Sequence, residues 1–323
     1  MTSQNLLEFL KKNSDKYTSG EELATHFGVT RAGVWKHIKK LQDEGVKIEG
    51  VTNKGYKLLG NFILEGEILS ALSENSNNSC SSCKNYRFEK ITCEVFDSIT
   101  STNTYAKTNP KEGLHLICAS EQTAGRGRRG NSFYSPKDTG VYFTMAFAPK
   151  SGETNTFTLA AAIAVSETLT KMSGRDTKIK WVNDIFCENR KVCGILTEGI
   201  FDFESGELSS VIVGIGINIE TEDFPDEIKT KAGSVGVSIR KNQLIANITT
   251  TFFEILALSK EQIVEKYTNL SLVLGKTITF TQNGETITAK AKSFNLEGNL
   301  VCQTSGEEIV LKAGEISIVG EFY

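Results

Sequence analysis

The chain has 323 residues, 39% of them hydrophobic and 23% charged, with a net charge of −3; that is room for two or three globular domains and too acidic for a protein that coats nucleic acid along its whole length. No apolar run approaches the roughly 20 residues needed to span a bilayer, and no basic start followed by an apolar core marks a secretory leader. Seven cysteines, an odd number in apolar contexts such as Val192-Cys193-Gly194, point to a reducing cytoplasm and no membrane partner.

The charge is unevenly spread. Residues 1–60 carry 10 lysines and arginines against 7 acids, and the remainder 26 against 32, so a small nucleic-acid module fits at the head. Apolar positions at helical spacing cover residues 4–12. Ser19-Gly20-Glu21-Glu22 opens a second helix, with Ser19 capping and Glu22 reciprocating; it runs through Leu23, Ala24 and Phe27 to Gly28. Thr30 caps a third helix, Arg31 to Asp43, with Val34, Ile38 and Leu41 inward and Arg31, Lys36, His37, Lys39 and Lys40 outward. Val46-Lys47-Ile48 and Gly55-Tyr56-Lys57-Leu58 then alternate as a hairpin. Two helices across a glycine turn, the second cationic, followed by a hairpin, predict a winged helix-turn-helix that binds DNA. The rival reading is a small protein-interaction domain with a solvated basic face.

Residues 61–90 read as a linker: a short helical stretch, Glu65 to Ser73, then the polar tract Glu74-Asn75-Ser76-Asn77-Asn78-Ser79. Cys80 and Cys83 form a C-x-x-C without a second pair at zinc spacing, so no metal site is assigned there. From residue 91 to 270 strands alternate with helices. Strands are predicted at Leu114–Ser120, Gly140–Ala148, Lys178–Val182 and Val211–Ile219. A hairpin joins Ile185-Phe186-Cys187 to Lys191–Thr197 through Glu188-Asn189-Arg190. Phe157–Met172 is an apolar, buried helix, and one further helix lies near Asn242–Lys266. Adjacent hairpins imply a mixed, mainly antiparallel sheet with helices on one face. Residues 271–323 hold five short strands around Asn283-Gly284, Glu297-Gly298, Ser305-Gly306 and Ala313-Gly314, the pattern of a small SH3-like barrel. The fold class is therefore α+β and multidomain.

Of three histidines, His26 and His37 lie in the head and only His115 in the body, which argues against a histidine-ligated metal centre or a Ser-His-Asp triad there. There is no P-loop, and Gly214-Ile215-Gly216-Ile217-Asn218 lacks the third glycine of a dinucleotide loop, so it reads as close backbone approach within a strand. What remains binds polar and anionic ligands. Gly125-Arg126-Gly127-Arg128-Arg129-Gly130 can form neither a stable helix nor a packed strand; it is a loop of guanidinium forks and free amides suited to an anion, or a plain basic turn. Ser101-Thr102-Asn103 can cap a helix or hydrogen-bond an amide-like ligand. Lys180-Trp181-Val182-Asn183-Asp184 and Lys191 can neutralise charge on a phosphate or carboxylate. No nucleophile has an activating base.

Together, Ser101-Thr102-Asn103, Gln122 with the Gly125–Gly130 loop, Lys180-Trp181-x-Asn183-Asp184, Arg190-Lys191-x-x-Gly194-Ile195-Leu196-x-Glu198 and Gly214–Asn218 resemble biotin protein ligases in order and spacing. Ser19-Gly20-Glu21-x-Leu23, Lys36-His37-Ile38 and Gly55-Tyr56 resemble the winged head of bifunctional biotin operon repressors. The resemblance implies ATP-dependent formation of biotinyl-5′-adenylate and transfer of biotin to a lysine of a biotin-carrier domain, with Mg²⁺ on the ATP phosphates. It implies a biotin slot of Ser101, Thr102, Asn103, Gln122, Arg126, Gly127, Arg128, Lys191 and Gly194. Arg128, Phe133, Asn183 and Asn218 would hold the adenylate, and Arg126, Arg128, Lys191 and Asp184 would serve the chemistry. Operator DNA would meet Ser19, Gly20, Thr30, Arg31, Lys36, His37, Lys39 and Lys40, bound by a homodimer when the adenylate is present. The sequence departs from the family pattern at Phe133 (usually Trp), Val182 (Pro), Gly33 (Ala) and Val319 (Arg in some members). A non-catalytic ligand-sensing transcription factor and a lipoate-type ligase are the alternatives.

Overall fold

The computed structural model describes residues 1–320 apart from positions 15, 45, 79–88, 150–153, 203, 283, 313 and 315. The Cys80/Cys83 pair, Ser79 of the polar tract, and Asn283 and Ala313 of two turns lie outside the described residues. The chain divides into two units, Met1–Leu64 and Glu65–Tyr323.

In the first unit the local signals become structure almost unchanged. Helices α1 (Ser3–Lys12), α2 (Gly20–Phe27) and α3 (Arg31–Asp43) precede an antiparallel hairpin of β1 (Ile48–Val51) and β2 (Gly55–Leu58). Ser19 Oγ accepts from the Glu22 amide at 3.0 Å and Thr30 Oγ1 from the Gly33 amide at 3.1 Å; loss of such a cap costs about 1 kcal/mol. Gly28 closes α2 in the left-handed conformation at φ 62°. The inward residues Leu6, Leu10, Leu23, Val34, Ile38 and Leu41 meet Ile48 and Leu58 of the hairpin in one core. Reciprocal backbone hydrogen bonds between Thr18 and Tyr56, both 2.9 Å, tie the hairpin to the start of α2.

Part of the stretch read as linker folds with the second unit. Helix α4 (Glu65–Asn78) lies along α7 (Lys241–Leu256), with Ile68, Ala71 and Leu72 buried. Asn75 Nδ2 donates to Asn247 Oδ1 at 3.0 Å and to Thr250 Oγ1 at 3.2 Å. The polar tract is thus partly a helix, and its Asn75 amide has tertiary partners.

The main sheet is built from β3 (Ile91–Phe96), β4 (Leu114–Ala119), β5 (Gly140–Phe147), β6 (Thr177–Lys180), β7 (Asp184–Cys187), β8 (Arg190–Phe201) and β9 (Leu208–Asn218). Its seven strands run in the order β3-β4-β5-β9-β8-β7-β6. Only the β3–β4 pair is parallel, so the sheet is mixed and mainly antiparallel, as the hairpins predict. The β7–β8 turn is tighter than read: Glu188 and Asn189 alone make it, at φ 48° and 65°, and Arg190 already belongs to β8.

The expectation of helices on one face is corrected. Helix α6 (Thr154–Ser173) and α7 cover one face, where Phe147 meets Phe157, Phe252 and Phe253 at centroid distances of 5.8, 5.9 and 5.1 Å. Helix α5 (Thr102–Thr108) covers the other, where Thr144 of the same strand bonds to Thr102 and Asn103. Alternation along β5 makes this division. The single helix expected near 242–266 is two, because Ser259 and Gln262 form a capping box that starts α8 (Lys260–Asn269).

The expected SH3-like barrel is also corrected. Strands β10 (Thr277–Gln282), β11 (Glu285–Phe294), β12 (Leu300–Gln303), β13 (Glu308–Leu311) and β14 (Ser317–Ile318) form an antiparallel sheet in the order β13-β12-β11-β10-β14. Among the described residues β13 and β14 do not pair, so the sheet stays open; β14 is two residues long and both pair with β10. This sheet sits on the body, with Trp181 Nε1 donating to the Gly298 carbonyl at 3.1 Å and Tyr267 edge-on to Phe294 at 5.0 Å. No helix among the described residues is long and apolar enough to cross a membrane.

Candidate functional site

A cleft of about 540 Å³ opens on the α5 face of the main sheet. Its floor is made by absent side chains. Gly194 of β8 pairs with Gly216 of β9, and Leu196 with Gly214. A Cβ at Gly214 would stand 2.0 Å from Asn103 Oδ1, and one at Gly216 would stand 2.5 Å from the Phe133 ring. The close backbone approach expected of Gly214–Asn218 is therefore real, and its cause is the pair of side chains lying on the strand.

One end of the cleft is a neutral hydrogen-bonding slot. Ser101 caps α5, and Ser101, Thr102 and Asn103 are buried. Gln122 Oε1 accepts from the Thr102 amide at 2.9 Å and lies 3.1 Å from its hydroxyl. Gln122 Nε2 donates to Ser135 Oγ at 3.0 Å, which donates to the Phe133 carbonyl at 3.0 Å. Asn103 is held at both ends, accepting from Thr144 at 2.7 Å and donating to Glu198 at 2.9 Å.

The other end is cationic. The Gly125–Gly130 loop folds back on itself: the Phe133 amide donates to the Gly125 carbonyl at 2.9 Å and the Gly127 amide to the Asn131 carbonyl at 2.7 Å. A short 3₁₀ turn, Arg128–Gly130, forms its tip. The loop read as irregular thus closes a small hairpin through its own backbone. Arg128 Nη1 donates to Asn183 Oδ1 at 3.2 Å, and Asn183 is pinned to the Ile195 carbonyl at 2.8 Å. Lys191 Nζ pairs with Asp184 at 2.7 Å, both side chains about a third exposed or less. Asn218 is buried, with Nδ2 on the Gly233 carbonyl at 3.0 Å and no hydrogen-bond partner for Oδ1.

All the sequence-selected residues of the body line this one cleft, including Arg126, Gly127 and Gly194. Lys180, Lys231 and Arg129 line it too and were not selected, although Lys180 and Arg129 stand in quoted motifs. Thr144 and Glu198 support the slot from behind. Glu198 ends a quoted motif but no local pattern shows what it holds, and none marks Thr144, because their partners lie 95 and 41 residues away in the chain. Among the described residues no group of three or more His, Cys, Asp or Glu could hold a metal.

In the first unit Arg31, Lys36, Lys39 and Lys40 are exposed on α3. Lys39 and Lys40 make surface pairs with Asp43 at 3.3 Å and Glu44 at 3.8 Å. Ser19 and Thr30 spend their hydroxyls on capping, and Gly20 begins α2. His37 turns toward α1, its Nδ1 2.9 Å from Ser3 Oγ. Trp35 was not selected, yet its side chain is 58% exposed between these cations.

Comparison with known proteins agrees with this geometry. Residues 95–218 match the Biotin/lipoate A/B protein ligase family and residues 2–57 an HTH domain. The Bifunctional ligase/repressor BirA of Bacillus subtilis is 34% identical over 260 residues, covering 77% of this chain and 76% of that protein. The Escherichia coli protein of the same name is 25% identical over 317 residues, 94% and 93% of the two chains. Among solved structures, the biotin protein ligase from Aquifex aeolicus in complex with biotin and ATP aligns with a TM-score of 0.61 and 26% identity, over 70% of this chain and 98% of that one. The chain belongs to the family of bifunctional biotin ligase/repressors.

Proposed function

We propose that the protein joins biotin to ATP as biotinyl-5′-adenylate, passes the acyl group to a lysine of a biotin-carrier domain, and represses biotin genes through its winged head. The observation that carries this is one cleft holding a neutral slot at one end and a cationic loop at the other. Thr102 and Gln122 suit the ureido ring, which offers N–H donors and a carbonyl acceptor. Arg126, Arg128 and Lys191 suit the carboxylate and phosphates. Phe133 offers the adenine a face, and the buried Asn218 Oδ1 offers it an acceptor.

The biotin carboxylate oxygen attacks the α-phosphorus of ATP, and pyrophosphate leaves. The neutral amine of the carrier lysine then attacks the acyl carbonyl, and AMP leaves. Neither step needs an enzyme nucleophile; catalysis comes from holding the reacting atoms in line and from cations facing the developing charge. Asp184 orients Lys191, and Asn183 orients Arg128. Mg²⁺ would arrive on the ATP phosphates and neutralise them, and Asp184 and Glu227 are carboxylates of the cleft that could share it.

Residues 1–60 serve as the DNA-binding head, 91–270 carry the chemistry, and 271–323 border the cleft through Gly314, Ile316 and Ser317. The adenylate acts as corepressor: it orders the loop, favours a homodimer, and lets two heads grip a palindromic operator. Linkage requires that dimerisation tighten adenylate binding by the same factor. ATP-dependent transfer of labelled biotin to a carrier domain tests the ligase, and absence of transfer at saturating substrate favours a mere ligand sensor. Competition with lipoate separates the two acids. Footprinting with and without biotin and ATP tests repression, an adenylate-independent footprint refuting the corepressor role.

A further inference from the structure

The cations that line the cleft are not equally available. Lys191 Nζ is taken by Asp184 at 2.7 Å, and Arg128 is engaged by Asn183 at 3.2 Å. Lys180 Nζ stands over the Phe186 ring, 5.5 Å from its centroid. Arg126 and Arg129 belong to the glycine loop, which would face the carboxylate and the α-phosphate. Lys231 comes from a separate segment. It lines the cleft and is exposed, and no hydrogen bond or ion pair holds its ammonium among the described residues.

Its backbone, by contrast, is fixed. The Lys229 amide donates to the Pro225 carbonyl at 2.9 Å and the Ala232 amide to the Ile228 carbonyl at 2.8 Å, winding the segment into a tight turn. That turn is fastened to β8 at Lys191 itself. The Lys191 amide donates to the Lys231 carbonyl and the Gly233 amide to the Lys191 carbonyl, both at 2.9 Å. Asn218 Nδ2 holds the Gly233 carbonyl from β9 at 3.0 Å. Ala232 thus pairs with Lys191 as a parallel neighbour, and such neighbours lie about 5 Å apart. A free ammonium on a flexible stem therefore hangs from a rigid anchor at the cationic end of the cleft.

The two half-reactions differ in the charge that they bring to this end. As the carboxylate oxygen bonds to the α-phosphorus, the bond from that phosphorus to the α,β-bridging oxygen breaks. Its electron pair goes to the leaving pyrophosphate, where negative charge grows and a facing cation stabilises it. The adenylate keeps a single phosphate, so a cation placed for the outer phosphates acts in the first half-reaction only. We propose that Lys231 binds the β- and γ-phosphates of ATP and the pyrophosphate that leaves. This rests on the reading of the protein as a biotin ligase.

The test uses the full-length protein with Lys231→Met and Lys231→Arg. It measures KM for ATP and biotin, KM for pyrophosphate in the reverse reaction, single-turnover transfer from purified biotinyl-5′-adenylate to a carrier domain, and the thermal midpoint. In Lys231→Met the KM values for ATP and pyrophosphate rise about tenfold, the scale of one lost charge-assisted contact. The biotin KM and the single-turnover transfer rate stay within about twofold, and Lys231→Arg regains most of the affinity for ATP. Unchanged KM values for ATP and pyrophosphate in Lys231→Met overturn the phosphate role while the ligase stands. Equal losses in both half-reactions with a lower midpoint overturn it too, making Lys231 a structural part of the turn. Failure of the wild-type protein to form adenylate at saturating ATP and biotin overturns the ligase reading and this proposal with it.

Discussion

Arg128 reaches from the glycine loop to Asn183, and it lines the cleft. Its loop is held mainly by its own backbone hydrogen bonds, so Arg128→Gly should leave the fold intact. The expected outcome is faster leakage of adenylate to solvent with a midpoint within a few degrees of wild type; retention of labelled adenylate on rapid filtration checks it. His115 is a different kind of residue, buried on β4 and outside the cleft. Its Nε2 lies 2.6 Å from Glu94, which also meets Lys111 at 2.7 Å and Tyr105 at 3.2 Å. Burial holds the His115 pKa down against the pull of Glu94. Burial also raises Glu94, but hydrogen bonds from Lys111 and His115 and the Lys111 charge leave it below the ordinary value. The unfolded histidine takes a proton as pH falls through about 6.5, and the folded one resists. Its contribution is therefore present above that pH and lost as pH falls toward the lower folded pKa; that of Glu94 is lost only further down, as acid reaches the carboxylate range. Thermal midpoints should drop between pH 7.5 and 5.5, and His115→Phe should flatten that slope.

At the scale of elements, α3 shows what a helix-period reading captures and what it passes over. Arg31, Trp35 and Lys39 fall at i, i+4 and i+8, one stripe of the helix surface, and Trp35 is largely exposed within it. A large apolar ring beside cations on a recognition helix fits base edges and thymine methyl groups in a major groove. Trp35→Ala should weaken operator binding by about tenfold or more, on the scale of a base contact worth ~1–3 kcal/mol, and leave biotin transfer unchanged. Gel shift on a duplex selected from a random pool, beside a transfer assay, reads both effects. Helix α8 makes the complementary point: Ser259 and Gln262 spell a capping box in the sequence, but the apolar run on either side masks it.

For the whole molecule, the two units have separate cores, and the two tryptophans of the chain fall one in each. Trp35 is 58% exposed and Trp181 only 4%. Unfolding should therefore proceed in two steps rather than one. The red shift of Trp181 emission, read in a Trp35→Phe protein, should follow the second unit alone, and loss of far-ultraviolet signal before that shift should report the first. A single coincident transition would show the units to be coupled.

The winged head was legible because each of its elements is closed by a neighbour in sequence: caps at Ser19 and Thr30, a glycine at Gly28, and apolar spacing on one stripe. The hairpins of the main sheet and the cleft residues carried by short motifs were legible for the same reason. The open C-terminal sheet was not, since strand number and glycine turns are alike in open and closed sheets, and only the two-residue length and partner of β14 separate them. Nor was the fold of α4 into the body, where Asn75, in a tract that read as linker, finds Asn247 and Thr250 far along the chain. By itself the sequence determined the family, the order of the elements and most of the side chains that line the cleft, because these depend on local spacing and on motifs. The tertiary structure alone decided that α5 stands apart from α6 and α7, that glycines on adjacent strands make the floor, and that Glu198, Thr144 and Lys107 stand behind the slot. Such contacts join residues 41 to 95 positions apart, and side-chain pairing across a folded sheet leaves no periodic trace in the chain.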